Sequence, residues 1–330
     1  MENYLTGKRT AVSPPVAQIV DGLDGYEEIR DVESRLDLPE TGDLVGRLIE
    51  RDLVVPEGSL VARKEEFLES TWVWGQDARY FHFATNNLEF ISDPREQLDY
   101  LLSRASQETP PSPYKDYQRP GTDLARSRDE QRGEFWQTLS GRRTCRSFTG
   151  AAITREALAD ILLWTWGRSA FFGYPRTGEF VLKTSPSGGA RHPIEVYPVV
   201  LAVQDVAPGT YHYSVRRNSI VPLSTADPAD LVDLVEHLCS GQTWVRQAAV
   251  VFFMTAVVRR SSWKYPSSHA YRVLHLDAGH LGQTFHLVCT SLGLGPFTFA
   301  ATRNPAVEQA LGIDGVNEIV LYTAAVGVPA

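Results

Sequence analysis

Four short stretches of this 330-residue chain carry residue types whose spacing could do chemistry. Arg142-Arg143-Thr144-Cys145-Arg146-Ser147 gathers three guanidinium groups and two hydroxyls, a donor set that can enclose a phosphate through forked, charge-assisted hydrogen bonds. Thr184-Ser185-Pro186-Ser187-Gly188-Gly189-Ala190-Arg191-His192-Pro193 places paired glycines in a loop whose backbone N–H groups a planar ligand can approach closely. Asp277-Ala278-Gly279-His280-Leu281-Gly282-Gln283 has two small residues three apart, where another backbone could pack, and an amide at Gln283. Trp263-Lys264-Tyr265 sets an ammonium beside a phenol, which favours the phenolate and makes a candidate general base. Each also has a plainer reading: a solvated basic patch, a tight turn before a strand, a helix-packing face, an exposed loop. No Walker loop, dinucleotide fingerprint or nucleophile elbow occurs. His275, His280 and His286 lack the i, i+4 spacing of a helical zinc site, so no metal is expected.

The elements that must hold these stretches are legible in the hydrophobic pattern. From 134 onward, helices alternate with apolar strands. Thr154 is placed to cap a helix bearing Leu158, Ile161 and Leu162. Stretches 194–203 and 248–258 read as strands, the second apolar on both faces and therefore central. Stretch 270–292 is the clearest helix, its stripe running Leu274, Ala278, Leu281, Phe285, Val288 and Leu292, with Gly293 able to end it. A last strand is expected over 319–326. These make an α+β domain over 134–330. Residues 63–133 form a connecting region, its aromatics (Trp72, Trp74, Tyr80, Phe81, Phe83) expected in a strand or buried loop with His82 as a satisfied core histidine. A proline-rich linker over 110–120 carries the expected domain boundary. Residues 1–62 read as three helices followed by a hairpin of Leu53-Val54-Val55 and Leu60-Val61-Ala62, a winged-helix-like module.

Charge narrows what that module can do. The chain's formal net charge is -8, and residues 1–60 hold thirteen acids against six bases. A duplex-binding face needs Lys and Arg to neutralise phosphates, so nucleic acid is not the expected partner and a peptide is. The longest apolar run, 248–258, is far short of the roughly 20 residues of a membrane span. No apolar segment follows Lys8 and Arg9, so no secretory signal is expected and the expected address is the cytoplasm. Cys145, Cys239 and Cys289 are odd in number and far apart, which argues against a disulfide framework.

Together the PSGGARHP loop, the Pro208-Gly209-Thr210-Tyr211-His212-Tyr213 turn and the GHLGQ helix resemble the SagB-type azoline dehydrogenases of the nitroreductase-like flavoproteins. The resemblance runs from Gly141 to the C-terminus and more weakly before it. It implies a nitroreductase-like FMN-binding domain with a mixed central sheet flanked by helices. It implies FMN as cofactor, with Arg142, Thr144 and Arg146, beside Arg143, on the phosphate. Pro186, Ser187, Gly188 and Gly189 would lie against the flavin ring. Gln283, Leu294 and Gly295 would pass close to it, and Arg303 would add a phosphate contact. Lys264 and Tyr265 match the family's Lys-Tyr pair, although the stretch to Arg272 is one residue longer than the family pattern and lacks its middle arginine. The implied activity is FMN-dependent oxidation of azoline rings to azoles in a ribosomally made peptide. The implied partners are that peptide, a cyclodehydratase and a second copy of the chain. The alternatives are an NAD(P)H-dependent flavin reductase of nitro, enone or dehydroamino-acid substrates, and a non-catalytic peptide-binding protein.

Overall fold

In the computed structural model, which describes residues 1, 3–8, 10–23, 25–36, 41–84, 93–107, 134–174, 178–263, 265 and 269–330, Ser59 decides the character of the N-terminal region. Its hydroxyl accepts the Ala62 amide at 3.1 Å and so caps a helix where a second strand was expected. A strand would bury Leu60 and Ala62 on one face; instead Leu60 is 79% exposed and Ala62 is buried. The hairpin, and with it the wing, is therefore absent among the described residues. The region is helical: α1 (Pro14–Asp21), α2 (Ile29–Leu36), α3 (Thr41–Glu50), α4 (Leu60–Thr71) and α5 (Gln76–Ala84). Ile19, Val45 and Leu48 make its small core.

The chain divides into two units, Met1–Asn87 with Tyr265–Tyr271, and Leu88–Lys264 with Arg272–Ala330. In the first, Trp72 and Trp74 meet edge to face in the turn before α5, so the aromatic stretch is loop then helix rather than strand. His82 is 1% exposed and its Nδ1 lies 2.6 Å from the Tyr271 hydroxyl, the satisfied core histidine expected. The proline-rich linker over 110–120 lies outside the described residues.

The second unit carries α6 (Pro94–Gln107), α7 (Glu134–Gly141) and α8 (Arg155–Trp166), then β1 (Ala170–Tyr174) and β2 (Gly178–Leu182) as a separate hairpin. There follow β3 (Ile194–Val200), β4 (Gly209–Ser214), β5 (Ser219–Thr225), α9 (Pro228–Leu238), β6 (Val250–Val257), α10 (Val258–Ser262), α11 (His269–Ser291), β7 (Gly295–Phe299), α12 (Asn304–Leu311) and β8 (Glu318–Gly327). Six strands form the main sheet in the order β5-β4-β3-β6-β8-β7. The central sheet flanked by helices is as expected. Its strand pairings are all antiparallel rather than mixed, and the one parallel pair among the described residues is the isolated bridge Ile153–Val203.

Strand register assigns the two faces. Tyr197 pairs with Phe253 and Val199 with Val251, and these side chains join Leu231 and Val235 of α9 and Val307 of α12 in one apolar layer. On the other face Phe252 stacks on Trp166 of α8 at 5.3 Å and meets Phe285 of α11 at 5.5 Å. β6 lies in the middle with residues 250–256 buried, the central strand its two-sided apolarity predicted. Thr154 caps α8 through the Ala157 amide, and Gly293 ends α11 at φ 72°. Among the described residues no helix is long and apolar enough to cross a membrane.

Candidate functional site

The arginine-rich segment after α7 is sewn between β7 and the chain's last residues. The Cys145 amide donates to the Pro296 carbonyl at 2.8 Å, Phe148 bridges Pro329, and Ala330 donates to the Ser147 carbonyl. Two glycines make room for this. A Cβ on Gly295 would stand 2.7 Å from Cys145 Sγ, and one on Gly327 2.7 Å from the Phe148 ring. With Cys145 and Phe148 turned inward, Thr144 and Arg146 are left exposed, and Arg146 lies over the Phe297 ring at 4.9 Å. Arg143 folds back onto the carbonyls of Ser140 and Arg142.

Arg142 is positioned by a histidine whose spacing, in the sequence, served only to exclude a metal. Its Nη1 lies 3.4 Å from Nδ1 of His286, whose Nε2 lies 3.1 Å from Thr298 Oγ1 on β7. A guanidinium only donates, so Nδ1 accepts and Nε2 carries the proton toward the threonine. Burial, then the Arg142 charge, pushes His286 down to about 4, so it is neutral at physiological pH.

The glycine loop is fastened to the same helix. Ser187 Oγ donates to Asp277 Oδ2 at 2.6 Å, and the Gly188 amide donates to Oδ1 at 3.1 Å. Ser185 Oγ meets Thr284 Oγ1 at 2.6 Å one turn pair further along. A Cβ on Gly188 would collide with Val273 of α11. Asp277 is 3% exposed; burial pushes its carboxyl up against the two hydrogen bonds that pull it down. The loop amides of Ala190, Arg191 and His192 bond back to Ser187 and Gly188, which leaves those of Ser187 and Gly189 as donors not used by the described residues.

One helix therefore carries both halves. Asp277 and His286 are nine residues apart on α11, about 14 Å of helix at 1.5 Å per residue. Between them Gln283 is exposed and Gly279 has open space where a Cβ would be. Gly282 serves the sheet instead: a Cβ there would stand 2.7 Å from the Tyr322 ring on β8. Leu294 donates to the Cys289 carbonyl in the turn that leads into Gly295. Arg303 lies past the other end of β7, its amide on the Leu238 carbonyl at the start of α12. Tyr265 is 37% exposed, and Lys264 lies outside the described residues.

This donor set fits FMN. Guanidinium and hydroxyl groups stand at one end of the α11 spine. At the other is a glycine loop with two spare amides, and open helix surface lies between. Asp277, His286 and Thr284 do the positioning, a role that the sequence assigned to none of them. The one available signal was Asp277 itself, a carboxylate in the apolar stripe between Leu274 and Leu281.

Comparison with known proteins agrees. The nitroreductase family model matches residues 139–328. MJ1384 of Methanocaldococcus jannaschii, a nitroreductase by name, is 30% identical over 175 residues, 53% of this chain and 82% of that protein. The trifolitoxin-processing protein TfxB of Rhizobium leguminosarum bv. trifolii is 31% identical over 139 residues, 42% of this chain but only 37% of TfxB. A chain of the E. coli microcin synthetase McbBCD complex with truncated pro-MccB17 bound has the same fold at TM-score 0.54 and 17% identity. That match covers 85% of this chain and 96% of the other.

Proposed function

The chain belongs to the nitroreductase family, and from that premise we propose that it oxidises azoline rings to azoles in a ribosomally made peptide. Membership makes it an FMN-dependent oxidoreductase. The observation that carries the peptide reading is the extent of the likeness. The family model matches residues 139–328, whereas the likeness to the microcin synthetase chain covers 85% of the present chain, well beyond that domain. The trifolitoxin-processing relative supports the same reading.

Aromatising an azoline removes a proton from Cα and a hydride from Cβ. Bound FMN supplies the hydride acceptor, and dioxygen is the final oxidant. Arg142, Thr144 and Arg146 hold the phosphate, with Arg143 bracing the segment and Arg303 adding charge. The loop Pro186-Ser187-Gly188-Gly189 supports the ring. Ser187 and Gly189 offer their amides to it, since the Gly188 amide is committed to Asp277. Gln283, Leu294 and Gly295 border the same ligand. Tyr265, beside Lys264, takes the Cα proton. The peptide, a cyclodehydratase and a second copy of the chain are its partners, and the acidic first unit receives the peptide leader.

The test is mass spectrometry on an azoline-containing peptide incubated with the yellow protein in air, without NAD(P)H. A loss of two hydrogens per ring is expected. Turnover that requires NAD(P)H, with rings unaltered, would replace this reading by the reductase one; a colourless protein that binds no FMN overturns both.

A further inference from the structure

Asp277 carries a charge that the chemistry proposed above leaves unused. It is 3% exposed, and both carboxylate oxygens accept, Oδ2 from the Ser187 hydroxyl at 2.6 Å and Oδ1 from the Gly188 amide at 3.1 Å. Acceptance on both oxygens favours the ionised form and opposes the burial that pushes this carboxyl up. Among the described residues its bonds are to that hydroxyl and that amide, and none is to a cation. Lys183 and His192 line a small cleft beside it. The Lys183 ammonium answers to Glu195, however, and burial followed by the Lys183 charge pushes His192 down to about 4, which leaves it neutral. His280, exposed one turn further along α11, adds the remaining attraction.

The two loop amides left for the flavin, those of Ser187 and Gly189, flank the Gly188 amide that Asp277 holds. The carboxylate therefore stands behind the peptide units that offer those amides, in an interior whose dielectric is well below that of water. We infer that Asp277, a positioning residue, also holds the flavin's reduction potential down: its negative charge, acting through the backbone of residues 187–189, opposes the electron density that the ring gains on reduction. Charge and hydrogen bonds near the ring are the means by which a protein sets a flavin's electronics. A lower potential makes the reduced cofactor a better donor to dioxygen, which suits an oxidase. Nothing in this depends on the azoline substrate; it rests on the glycine loop facing the flavin, as proposed above.

Redox titration of the flavin-loaded full chain against reference dyes in neutral buffer tests it. Asp277→Asn removes the charge and keeps the shape, so the midpoint potential should shift to more positive values and reoxidation in air should slow. Ser187→Ala keeps the charge and removes a donor that neutralises part of it, so the potential should shift the other way. Loosening of the loop alone would move both variants in one direction, since Ser187→Ala also loses the tie to the His192 amide. No rise in Asp277→Asn, or a rise in both variants, overturns the inference. If Asp277→Asn comes away colourless, Ser187→Ala decides: a fall supports the inference and any other result overturns it. Gly188→Ala, whose Cβ would collide with Val273, separates this from a failure of the loop assignment. Unchanged flavin affinity and absorption spectrum in Gly188→Ala would remove the loop from the ring, and the inference with it. A perturbed spectrum there, with no rise in Asp277→Asn, overturns the inference alone.

Discussion

Ser187 donates its hydroxyl to Asp277 at 2.6 Å while accepting the His192 amide at 2.8 Å, so one serine ties the glycine loop both to α11 and to its own far end. Between those ties the backbone passes through the left-handed region at Gly189, Ala190 and His192. For the two non-glycine residues that conformation costs on the order of 1–3 kcal/mol each and persists only where the surroundings over-determine it. The buried Asp277 carboxylate is what over-determines it here.

Asp277→Ala should therefore loosen the loop as well as destabilise the fold. Removing an acceptor that serves a hydroxyl and an amide costs about 1.5–3 kcal/mol. Urea unfolding should show that loss, and flavin titration a matching drop in affinity. Asp277→Asn keeps one acceptor and should fall between. Flavin affinity unchanged in Asp277→Ala would mean that the loop does not support the cofactor.

His286 makes stability pH-dependent in a definite direction. Its folded pKa of about 4 lies below the ordinary 6.5, so between those values the unfolded chain binds more protons and stability rises with pH. Its contribution is complete above pH 6.5 and shrinks, by on the order of 3 kcal/mol, as pH falls toward 4. His192 has the same sign. The urea midpoint should drop steadily over that window, and His286→Gln should make the slope shallower. A slope identical to wild type would show that His286 is charged or exposed in solution.

Why α11 and the strands were legible, and the bracing of the site was not, follows from range. The stripe from Leu274 to Val288 repeats over many turns, and the Thr154 cap and Gly293 stop are local signals. The segment 53–62 failed because two three-residue apolar runs around Pro56-Glu57-Gly58 fit a hairpin as well as a turn and a helix start. Only the Ser59 cap separates those readings. The site's ties join residues 90 and 144 positions apart in the chain, Ser187 to Asp277 and Arg142 to His286, and no local periodicity reports such pairs.

Three glycines of similar appearance should behave differently. Gly295→Ala pushes on Cys145 and should displace the arginine segment, lowering flavin affinity and costing about 1–3 kcal/mol. Gly282→Ala meets the Tyr322 ring and should cost a similar amount without a direct effect on the flavin. Gly279→Ala faces open space in the monomer, where helix propensity favours alanine by about 0.8–1 kcal/mol. Thermal melting ranks the three. A destabilised Gly279→Ala would reveal a partner packed on that helix face, as a homodimer requires.

Arg142→Ala combined with Arg146→Ala should give a folded, colourless protein, because charge-assisted contacts to the phosphate are each worth about 1.5–3 kcal/mol. Circular dichroism checks the fold and absorbance checks the flavin. Retention of the yellow colour after desalting would move the phosphate site elsewhere, with Arg303 the next residue to substitute.

Tyr265→Phe separates binding from chemistry. The phenyl ring keeps the shape and removes only the hydroxyl that would accept the Cα proton, so flavin content should match wild type. General-base catalysis is typically worth 10²–10⁴-fold, and azoline turnover should fall by about that factor. Lys264→Gln should leave flavin content unchanged and lower turnover less than Tyr265→Phe does. Full activity in Tyr265→Phe would remove the tyrosine from the mechanism and leave the arginine segment and the glycine loop untouched as the flavin site.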